Sequence, residues 1–374
     1  MTNTSTNEEL GFELWAKENQ NIMHMAAFTT ILVMCVGIIG NSLTILALLR
    51  NQRIRNVAST FIICLGAADL LFCIAVLPFS ASRFLNFNWT QYHTLCLMVP
   101  FFQYGNVGVS LLFISMITIN RYIMIVHTSL YSRIYRPIWI AFMITFCLVL
   151  AFGMQVPTLL GVWGEFKHDP KLGTCSITTD KWGRSSKTAL FITGFVIPCI
   201  IIVCCYTGIF WVIHKSENRM QKHQMSTRSD TTVKNRQAMK KKRNEWRITK
   251  MVLAIFLSFV ISYLPITMIK ITDPHVYYPG LHLVAYITLY SSACLNPIIY
   301  VIMNKQYRKA YKSVLTFDCC TTTNYRMPVL RSISKRLHPH DDYPEEGCKT
   351  VVSQVSIALH PLNNSLRISD NESH

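Results

Sequence analysis

Hydrophobic residues fall along this chain in long, nearly uncharged blocks that polar segments separate. Seven of these blocks have about 20 residues or more, the length that a helix needs to cross roughly 30 Å of hydrocarbon. They cover residues 26–49, 58–82, 95–126, 138–162, 188–213, 248–271 and 281–303. Lipid offers the backbone no hydrogen-bond partners, and the strands of a membrane barrel would alternate apolar with polar residues, so each block is predicted to be a helix. The pattern therefore predicts an all-α membrane protein, a bundle of seven transmembrane helices.

The polar segments around these blocks divide the chain into four regions. Residues 1–25 form a polar N-terminal segment, and residues 26–303 hold the seven spans. Residues 304–318 contain a short amphipathic stretch with several lysines and an arginine on its polar side. Residues 319–374 mix Ser, Thr, Pro, His and acidic residues, a composition typical of a disordered tail.

Composition and charge also indicate a membrane protein. Of the 374 residues, 51% are hydrophobic and only 15% are charged, which is too apolar for an ordinary soluble protein of this length. The net charge is +17, but the basic residues cluster just inside the predicted spans and lack interleaved aromatic residues, so they favour membrane lipids over nucleic acid as a partner. Loops after the first, third and fifth spans carry most of these cations, and such loops stay cytoplasmic. The N terminus is therefore expected outside the cell and the C terminus inside.

Two features mark the segments that this orientation places outside. Cys96 and Cys175 are the only cysteines predicted to face that side, which is oxidising, so they are expected to form a disulfide between the third span and the second outer loop. Asn3 and Asn88 each begin an Asn-X-Ser/Thr sequence and are predicted glycosylation sites. Asn3 is favoured, because Asn88 lies close to the membrane surface.

Few strongly polar residues interrupt the spans, and a charge at the bilayer centre costs roughly 2.5 kcal/mol or more. Asp69 lies near the middle of the second span, where a carboxylate needs a proton or a cation. Asn106 and Ser110 are one helical turn apart on the third span, and Ser292 and Asn296 are one turn apart on the seventh. Each pair therefore shares a helix face and offers Asp69 polar partners.

Motifs at the predicted cytoplasmic side point to a family. Asn120-Arg121-Tyr122 closes the third span, and Asn296-Pro297-Ile298-Ile299-Tyr300 closes the seventh. With Pro198 and Tyr206 on the fifth span and Pro265 on the sixth, they resemble the cytoplasmic switch of a rhodopsin-like (class A) G-protein-coupled receptor. The resemblance extends over residues 40–315. It implies a plasma-membrane receptor, not an enzyme, that binds an extracellular ligand and activates a heterotrimeric G protein.

In that family, an arginine at the position of Arg121 is held inactive by neighbouring acidic residues and contacts the G protein once it is released. The resemblance assigns to this switch Asn120, Arg121, Tyr122, Tyr206, Glu245, Asn296, Pro297 and Tyr300. Most members have Asp where this chain has Asn120, so only Glu245 remains as an acidic partner. We therefore expect higher basal activity than in a receptor with both acids. In the alternative interpretation, Arg121 only extends to the lipid surface.

The same resemblance gives the polar residues within the spans a role. Family residues that match Asp69, Asn106, Ser110, Ser292 and Asn296 line a sodium pocket whose collapse accompanies activation. An allosteric sodium ion held by oxygen ligands is thus expected, and no other cofactor. The alternative is a structural hydrogen-bond cluster around a protonated Asp69.

The amphipathic stretch after the seventh span resembles the family's eighth helix, which lies on the membrane surface. Cys319 and Cys320 follow it and are expected to be palmitoylated, although unmodified cysteines are the alternative. Serines of the tail, among them Ser332, Ser353 and Ser369, are candidate phosphorylation sites that would recruit arrestin.

Further motifs place the chain within the family. Asn120-Arg121-Tyr122-Ile123, residues 247–251, residues 263–267, and residues 296–300 with 303–308 are similar to the arthropod trapped-in-endoderm and Moody receptors. Melatonin receptors are more distantly similar. The closer resemblance implies signalling in cell migration, polarity or epithelial barrier control, and a melatonin-like or peptide receptor is the alternative.

The ligand pocket is predicted at the outer ends of the spans. Its candidate residues are Arg83, Gln103, Tyr104, Tyr263, Lys270, His282, Tyr286 and Tyr290. Gln103 stands where amine receptors have Asp, and a neutral amide cannot pair with a protonated amine, so amine ligands are disfavoured. An acidic lipid or acyl ligand, its carboxylate or phosphate bound by Arg83 or Lys270, is the hypothesis. The alternative is that both cations only extend to the outer membrane surface.

Other functional classes receive little support from the sequence. The chain has no metal-ligand His spacing within a span, no nucleophile elbow and no phosphate-binding Gly loop. A transporter or channel is the serious alternative, because Asp69 and the other internal polar residues could line an ion path. Against it, the spans show no repeat, and seven spans do not divide into equal halves.

Overall fold

The structure is a computed structural model that describes residues 12, 14–51, 54–86, 92–224, 233–273 and 275–316, with the backbone alone at 216–224 and 233–244. In this part of the chain, seven helices are long and apolar enough to cross a membrane, and we call them spans one to seven. They are Gln20–Arg50, Val57–Leu85, His93–Val126, Pro137–Leu159, Lys187–Lys215, Glu245–Thr272 and Pro279–Met303. Asn3, Asn88, Cys319 and Cys320 lie outside the described residues, as does the predicted tail.

The predicted seven-helix fold is confirmed, and six of the seven predicted blocks lie wholly inside a span. The fourth block is three residues too long, because the fourth span ends at Leu159. The residues beyond it are apolar, but they include Gly161, which has a φ of 67°. That left-handed conformation is open to glycine and ends the helix, so apolar composition alone overestimated the length of this span.

Prolines bend or interrupt three spans. The second span divides into the helices Val57–Ala75 and Leu77–Asn86, and the fourth into Pro137–Gly153 and Val156–Leu159. The fifth consists of the helix Lys187–Phe191, the π-helical turn Ile192–Val196 and the helix Ile197–Gln224. Pro78, Pro157 and Pro198 lie next to these breaks. A proline has no N–H to donate, and its ring clashes with the preceding turn, so the helical ladder changes there. Pro265 and Pro297 instead lie inside the continuous helices Val233–Thr272 and Pro279–Met303.

The loop between the fourth and fifth spans, which the sequence analysis placed outside the cell, forms a β-hairpin that was not predicted. Strand β1 (Glu165–Asp169) pairs antiparallel with β2 (Thr174–Thr178), and Gly173 in the turn has a φ of 55°, which suits glycine. A disulfide joins Cys175 of β2 to Cys96 of the third span, as predicted. The hairpin is thereby held against the outer end of the bundle.

Two short helices lie at the opposite end of the bundle. Thr128–Ile134 follows the third span, and Lys305–Leu315 follows the seventh, where its position is compatible with the predicted eighth helix. The side chain of Asn304 caps the second of these helices by accepting a hydrogen bond of 2.9 Å from the N–H of Gln306. Tyr311 from this helix is buried and forms a hydrogen bond with Thr44 of the first span.

Candidate functional site

Arg121 forms an ion pair at the inner ends of the third and sixth spans. Its Nη1 lies 2.5 Å from Oε2 of Glu245, and the arginine side chain is fully buried while that of Glu245 is 25% exposed. Nε and Nη2 of Arg121 have no hydrogen-bond partner among the described residues. A buried guanidinium held by a carboxylate does not extend to the lipid surface, so the structure contradicts that alternative. The pair instead joins two spans.

The neighbour of Arg121 makes a neutral contact. Nδ2 of Asn120 lies 3.4 Å from the hydroxyl of Tyr131, which belongs to the short helix Thr128–Ile134. Asn120 is itself fully buried. The position therefore ties the third span to the following loop and adds no negative charge beside Arg121.

The tyrosines of the predicted switch lie in different surroundings. Tyr206 donates a hydrogen bond of 3.2 Å to the carbonyl oxygen of Thr249, linking the fifth span to the sixth. Tyr300 is buried, its hydroxyl has no partner among the described residues, and its ring centroid lies 5.4 Å from that of Tyr307. Tyr122 lies beside His127 and against Gly208 of the fifth span. Unpaired buried polar groups cost free energy, and Nε and Nη2 of Arg121 and the hydroxyl of Tyr300 are such groups among the described residues.

Pro297 of the seventh span packs directly against the first span. A Cβ atom added to Gly40 would lie 2.9 Å from the ring of Pro297. Asn41 reinforces the same contact, because its Nδ2 donates a hydrogen bond of 2.9 Å to the carbonyl oxygen of Ala293. The first and seventh spans are thus held together at Pro297 by close packing and by this hydrogen bond.

A polar cluster surrounds Asp69 in the middle of the bundle. Asp69 is buried, and it accepts hydrogen bonds from Nδ2 of Asn296 at 2.8 Å and from Oγ of Ser110 at 3.3 Å. Asn106 also lies close enough to interact with Asp69, whereas Ser292 interacts with Tyr263. Four of the five predicted sodium-site residues therefore lie together, and the fifth lies next to them.

The chemistry of this cluster fits a small hard cation. Among the described residues, no Lys, Arg or His forms an ion pair with Asp69. The carboxylate is therefore buried without a cationic partner, and the side-chain oxygens of Ser110 and the two asparagines are the type of ligand that such ions prefer. Oδ1 of Asn41 is also buried without a hydrogen-bond partner.

A cavity of about 410 Å³ lies at the other end of the bundle, beside the β-hairpin. Five of the predicted pocket residues line it, namely Gln103, Tyr104, Tyr263, Lys270 and Tyr286. The rest of the lining comes mainly from the fifth and sixth spans and is largely apolar. It includes Ile177, Leu190, Phe191, Phe195, Ile266 and Leu289. A volume of this size suits a small organic ligand.

Lys270 is the central cation of this cavity. Its Nζ lies 5.5 Å from the ring centroid of Tyr286 and 5.9 Å from that of Tyr104. No carboxylate of the described residues forms an ion pair with it. The hydroxyl of Tyr104 lies 3.1 Å from Oγ of Ser176, so the hairpin helps to fix one of the two rings. Aromatic faces partly stabilise the ammonium, but they leave its positive charge without an anion.

Three other predicted pocket residues do not line the cavity. Arg83 is 4% exposed and stacks on Phe84 at 4.6 Å, and its guanidinium carbon lies 5.5 Å from the ring centroid of Tyr286. It therefore supports the Tyr286 ring and does not extend to the outer membrane surface. Tyr290 is buried one helical turn further, with its ring centroid 6.1 Å from that of Tyr286.

His282 is the third of these residues, and it joins the ends of two spans. Its Nε2 lies 3.3 Å from Oδ2 of Asp273, which follows the sixth span, and Asp273 also accepts hydrogen bonds from the N–H groups of Tyr277 at 2.8 Å and Tyr278 at 2.9 Å. Desolvation alone would raise the pKa of Asp273, but these backbone and histidine contacts outweigh it and lower the pKa. The sequence analysis predicted His282 as a pocket residue and did not predict Asp273 as its partner across the loop.

Sequence reasoning missed several residues of the cavity. Lys187 and Gln155 line it, and Ser176 holds Tyr104 from the hairpin. Gln155 is a lone polar residue in an apolar block, which was a usable signal. Ser176 belongs to the hairpin, and Lys187 begins the fifth span. In neither place does a hydrophobic period indicate which side chains face inward.

Comparison with known proteins agrees with this arrangement. Residues 40–300 match the family described as 7 transmembrane receptor (rhodopsin family). The G-protein coupled receptor moody of Drosophila melanogaster is 52% identical over 79% of this chain and 52% of its own length, so the chain spans about half of that relative. Protein trapped in endoderm-1 of Drosophila melanogaster is 36% identical over 77% of this chain and 76% of its own length. Melatonin receptor type 1A of Mus musculus is more distant, at 28% identity over 78% of this chain and 80% of its own length.

A solved structure has the same fold. Squid rhodopsin superposes with a TM-score of 0.70, and the match covers 87% of this chain and 93% of that one. The two sequences are 20% identical, so the likeness concerns the fold alone.

Proposed function

Because the chain belongs to the rhodopsin family of seven-transmembrane receptors, we propose that it converts the binding of a small extracellular anionic amphiphile into activation of a heterotrimeric G protein. Membership of a receptor family favours this function over an enzyme, a transporter or a channel. The Arg121–Glu245 pair supports the assignment of a G-protein-facing end, since it restrains the third and sixth spans where such a partner would insert.

The observation that carries the ligand class is the ammonium of Lys270, which is partly buried, lies between Tyr104 and Tyr286 and forms no ion pair with a carboxylate of the described residues. Buried charges in proteins are normally paired, because their desolvation cost is otherwise uncompensated. Here the ammonium contacts two aromatic rings in a cavity and lacks a carboxylate among the described residues. An acidic group of the ligand supplies the missing anion. Lys187 lines the same cavity and is a second cation for that group.

The rest of the lining determines the remainder of the ligand. Gln103 is neutral, so the cavity has no acidic anchor for an amine at that position. The phenylalanine, leucine and isoleucine side chains offer an apolar surface for an acyl chain or another hydrocarbon group. An acidic lipid or acyl compound combines both properties, and we place its carboxylate or phosphate at Lys270.

The cellular setting follows from the same assignment. The disulfide beside the cavity supports an extracellular position for this end, so the N terminus lies outside and the C terminus inside a plasma membrane. Glycosylation at Asn3 or Asn88, palmitoylation at Cys319 and Cys320, contact of Lys305–Leu315 with membrane lipids, and arrestin binding to a phosphorylated tail fit this topology. Similarity to the Moody and trapped-in-endoderm receptors supports a role in migration, polarity or barrier control.

A sodium ion is the allosteric ligand that the Asp69 cluster supports. When bound, it would neutralise the buried carboxylate, and Asp69 and Ser110, with the asparagine oxygens, would hold it. Asn296 belongs both to this cluster and to the inner motif of the seventh span. The cluster therefore links the outer cavity to the G-protein-facing end.

The test is nucleotide exchange on a panel of purified G proteins by the full chain in nanodiscs, first without ligand and then with a series of acidic lipids. Lys270→Gln should reduce the potency of an active lipid by about 10- to 100-fold, as expected for loss of one charge-assisted hydrogen bond. Lys270→Arg should keep much of the response, because it keeps the charge.

Lys181→Gln is the matched control, since Lys181 is an exposed lysine of the outer loop. It should leave potency unchanged. Exchange that responds to an acidic lipid equally in wild type and Lys270→Gln would overturn the ligand assignment and keep the receptor assignment. Absence of exchange with every G protein and every lipid would count against the receptor function itself.

A further inference from the structure

A second cavity, of about 340 Å³, opens between the fifth and sixth spans near the end that carries Arg121 and Glu245. We call it the span 5–6 groove. Its lining residues are Tyr206, Thr207, Ile209, Phe210, Trp246, Thr249, Lys250 and Leu253. Phe210 is 69% exposed, and Thr207 and Lys250 are exposed as well. The groove therefore faces outward, on the side where the membrane lies.

The groove exists because the two helices make little direct contact in the described part of the chain. The hydrogen bond from the hydroxyl of Tyr206 to the carbonyl oxygen of Thr249, 3.2 Å long, connects them at its floor. On the sixth span, Trp246, Lys250 and Leu253 are spaced by four and three residues and so share one helix face with Thr249 between them. The walls are thus two rows of side chains with an apolar gap between them.

Lys250 gives the groove one charged end. Its Nζ lies 5.1 Å from the ring of Trp246, and Nζ of Lys215 lies 5.4 Å from the ring of Trp211 on the neighbouring span. Tryptophan and lysine side chains of this kind mark a membrane–water boundary. No carboxylate of the described residues forms an ion pair with Lys250. Glu245, the acidic residue on the same helix, pairs with Arg121 instead.

We propose that the span 5–6 groove binds an anionic glycerophospholipid of the inner leaflet, with one acyl chain along Phe210 and Leu253 and the headgroup phosphate at Lys250. An apolar gap with a cation at the membrane boundary has the polarity of such a lipid. A zwitterionic lipid would bring a second cation close to Lys250 and bind less well. A bound chain touches both helices and so stabilises their present separation, which the Tyr206 hydrogen bond also maintains.

The site is tested by photolabelling of the full chain in nanodiscs. The probes are phosphatidylserine and phosphatidylcholine that each carry a diazirine on an acyl chain, and labelled peptides are mapped by mass spectrometry. Phosphatidylserine should label the segments around Phe210 and Leu253 more than phosphatidylcholine does. Lys250→Gln should reduce this labelling about fivefold, the weight of one lysine facing an anionic lipid.

Two further variants keep the test decisive. Lys309→Gln removes an exposed lysine of the helix Lys305–Leu315 and should leave groove labelling unchanged. Thr207→Trp fills the groove from an exposed position and should abolish the labelling by both lipids. Equal labelling by the two lipids, an equal loss in Lys309→Gln, or no labelling of these segments would each overturn the proposal. The binding readout does not involve a ligand of the outer cavity or a G protein, so it is independent of the proposed receptor function.

Discussion

The guanidinium of Arg121 lies 2.5 Å from the carboxylate of Glu245, and this is the sole ion pair of Arg121 with a described residue. The preceding residue, Asn120, contacts Tyr131 and carries no charge. Separation of the third and sixth spans at this end therefore requires one ion pair to break.

Glu245→Gln should raise nucleotide exchange in the absence of ligand. Breaking a pair whose arginine is buried and whose carboxylate is partly exposed costs at least about 1 kcal/mol, so the expected increase is about fivefold or more. The measurement is ligand-free exchange in nanodiscs at equal receptor amounts. Glu165→Gln changes a partly exposed acid of the outer hairpin and serves as the control. Unchanged basal exchange in Glu245→Gln would mean that the pair does not restrain the receptor.

Asn120→Asp tests the same restraint in the opposite direction. An added carboxylate beside a buried guanidinium with two unpaired nitrogens gives that charge a second partner. Basal exchange should fall below that of the wild type, again by about fivefold for an interaction of about 1 kcal/mol. Asn120→Ala removes the bond to Tyr131 without adding charge, and it distinguishes the two effects. A rise in exchange in Asn120→Asp would argue that the contact with Tyr131 matters more than charge.

The sequence predicted the features that follow from composition, from the placement of cysteines relative to the membrane, or from motifs shared with a family. Span positions follow from uninterrupted apolar runs, and the disulfide follows from the two cysteines on one side of the membrane. Approach of Asp69 and Asn296 was expected from family resemblance, and the structure places them in contact at 2.8 Å. These predictions needed no knowledge of how neighbouring helices are rotated.

Features that depend on rotation or on long-range pairing were not predictable in this way. Arg83 was expected at the outer rim, but rotation of its helix buries it against Phe84 and close to Tyr286. His282 pairs with Asp273 across a loop whose course no periodicity indicates. The hairpin strands are five residues each, and β1 carries charged side chains with Phe166 as its one apolar residue. A single short alternating stretch in β2 does not identify a hairpin without a recognisable partner strand.

Sodium should bind to the Asp69 cluster and stabilise the form in which Arg121 is paired. Replacing choline with sodium at constant ionic strength is expected to lower ligand-free exchange by the wild type. Asp69→Asn removes the carboxylate and should abolish the difference between the two salts, because the remaining ligands are neutral. Identical responses of wild type and Asp69→Asn to sodium would leave the cluster as a structural hydrogen-bond network.

Gly105 lies in a tight contact between the third and fourth spans. A Cβ atom at this position would lie 2.4 Å from Cε1 of Phe152, whose ring packs against Phe101 with centroids 5.5 Å apart. Gly105→Ala should therefore destabilise the bundle by about 1–3 kcal/mol through overpacking. Gly153→Ala is the matched control, because no atom lies within 4 Å of the added Cβ. Thermal unfolding should show a lower midpoint for Gly105→Ala and an unchanged or higher one for Gly153→Ala.

Asp273 should make the stability of the outer end dependent on pH. Its carboxylate accepts hydrogen bonds from two backbone N–H groups and contacts His282, and these contacts lower the pKa in the folded state below its ordinary value. The unfolded chain then binds more protons in acid, so stability from this group is complete above the ordinary pKa of about 3.9 and is lost as the pH falls through the lower folded value.

Asp273→Asn should consequently lower the unfolding midpoint at pH 7, because a neutral amide replaces a charge that holds the start of the seventh span to the end of the sixth. The difference from the wild type should begin to shrink as the pH falls below about 4, where the unfolded carboxylate becomes protonated, and should vanish once the pH is below the lower pKa of the folded state. Thermal unfolding of both proteins between about pH 7 and pH 3 measures it, with Glu165→Gln as the control at an exposed hairpin acid. If the difference in unfolding midpoint between the two proteins widened toward acid, the lowered pKa of Asp273 would be contradicted. A carboxylate that the fold holds in its charged form contributes less stability, not more, as it becomes protonated.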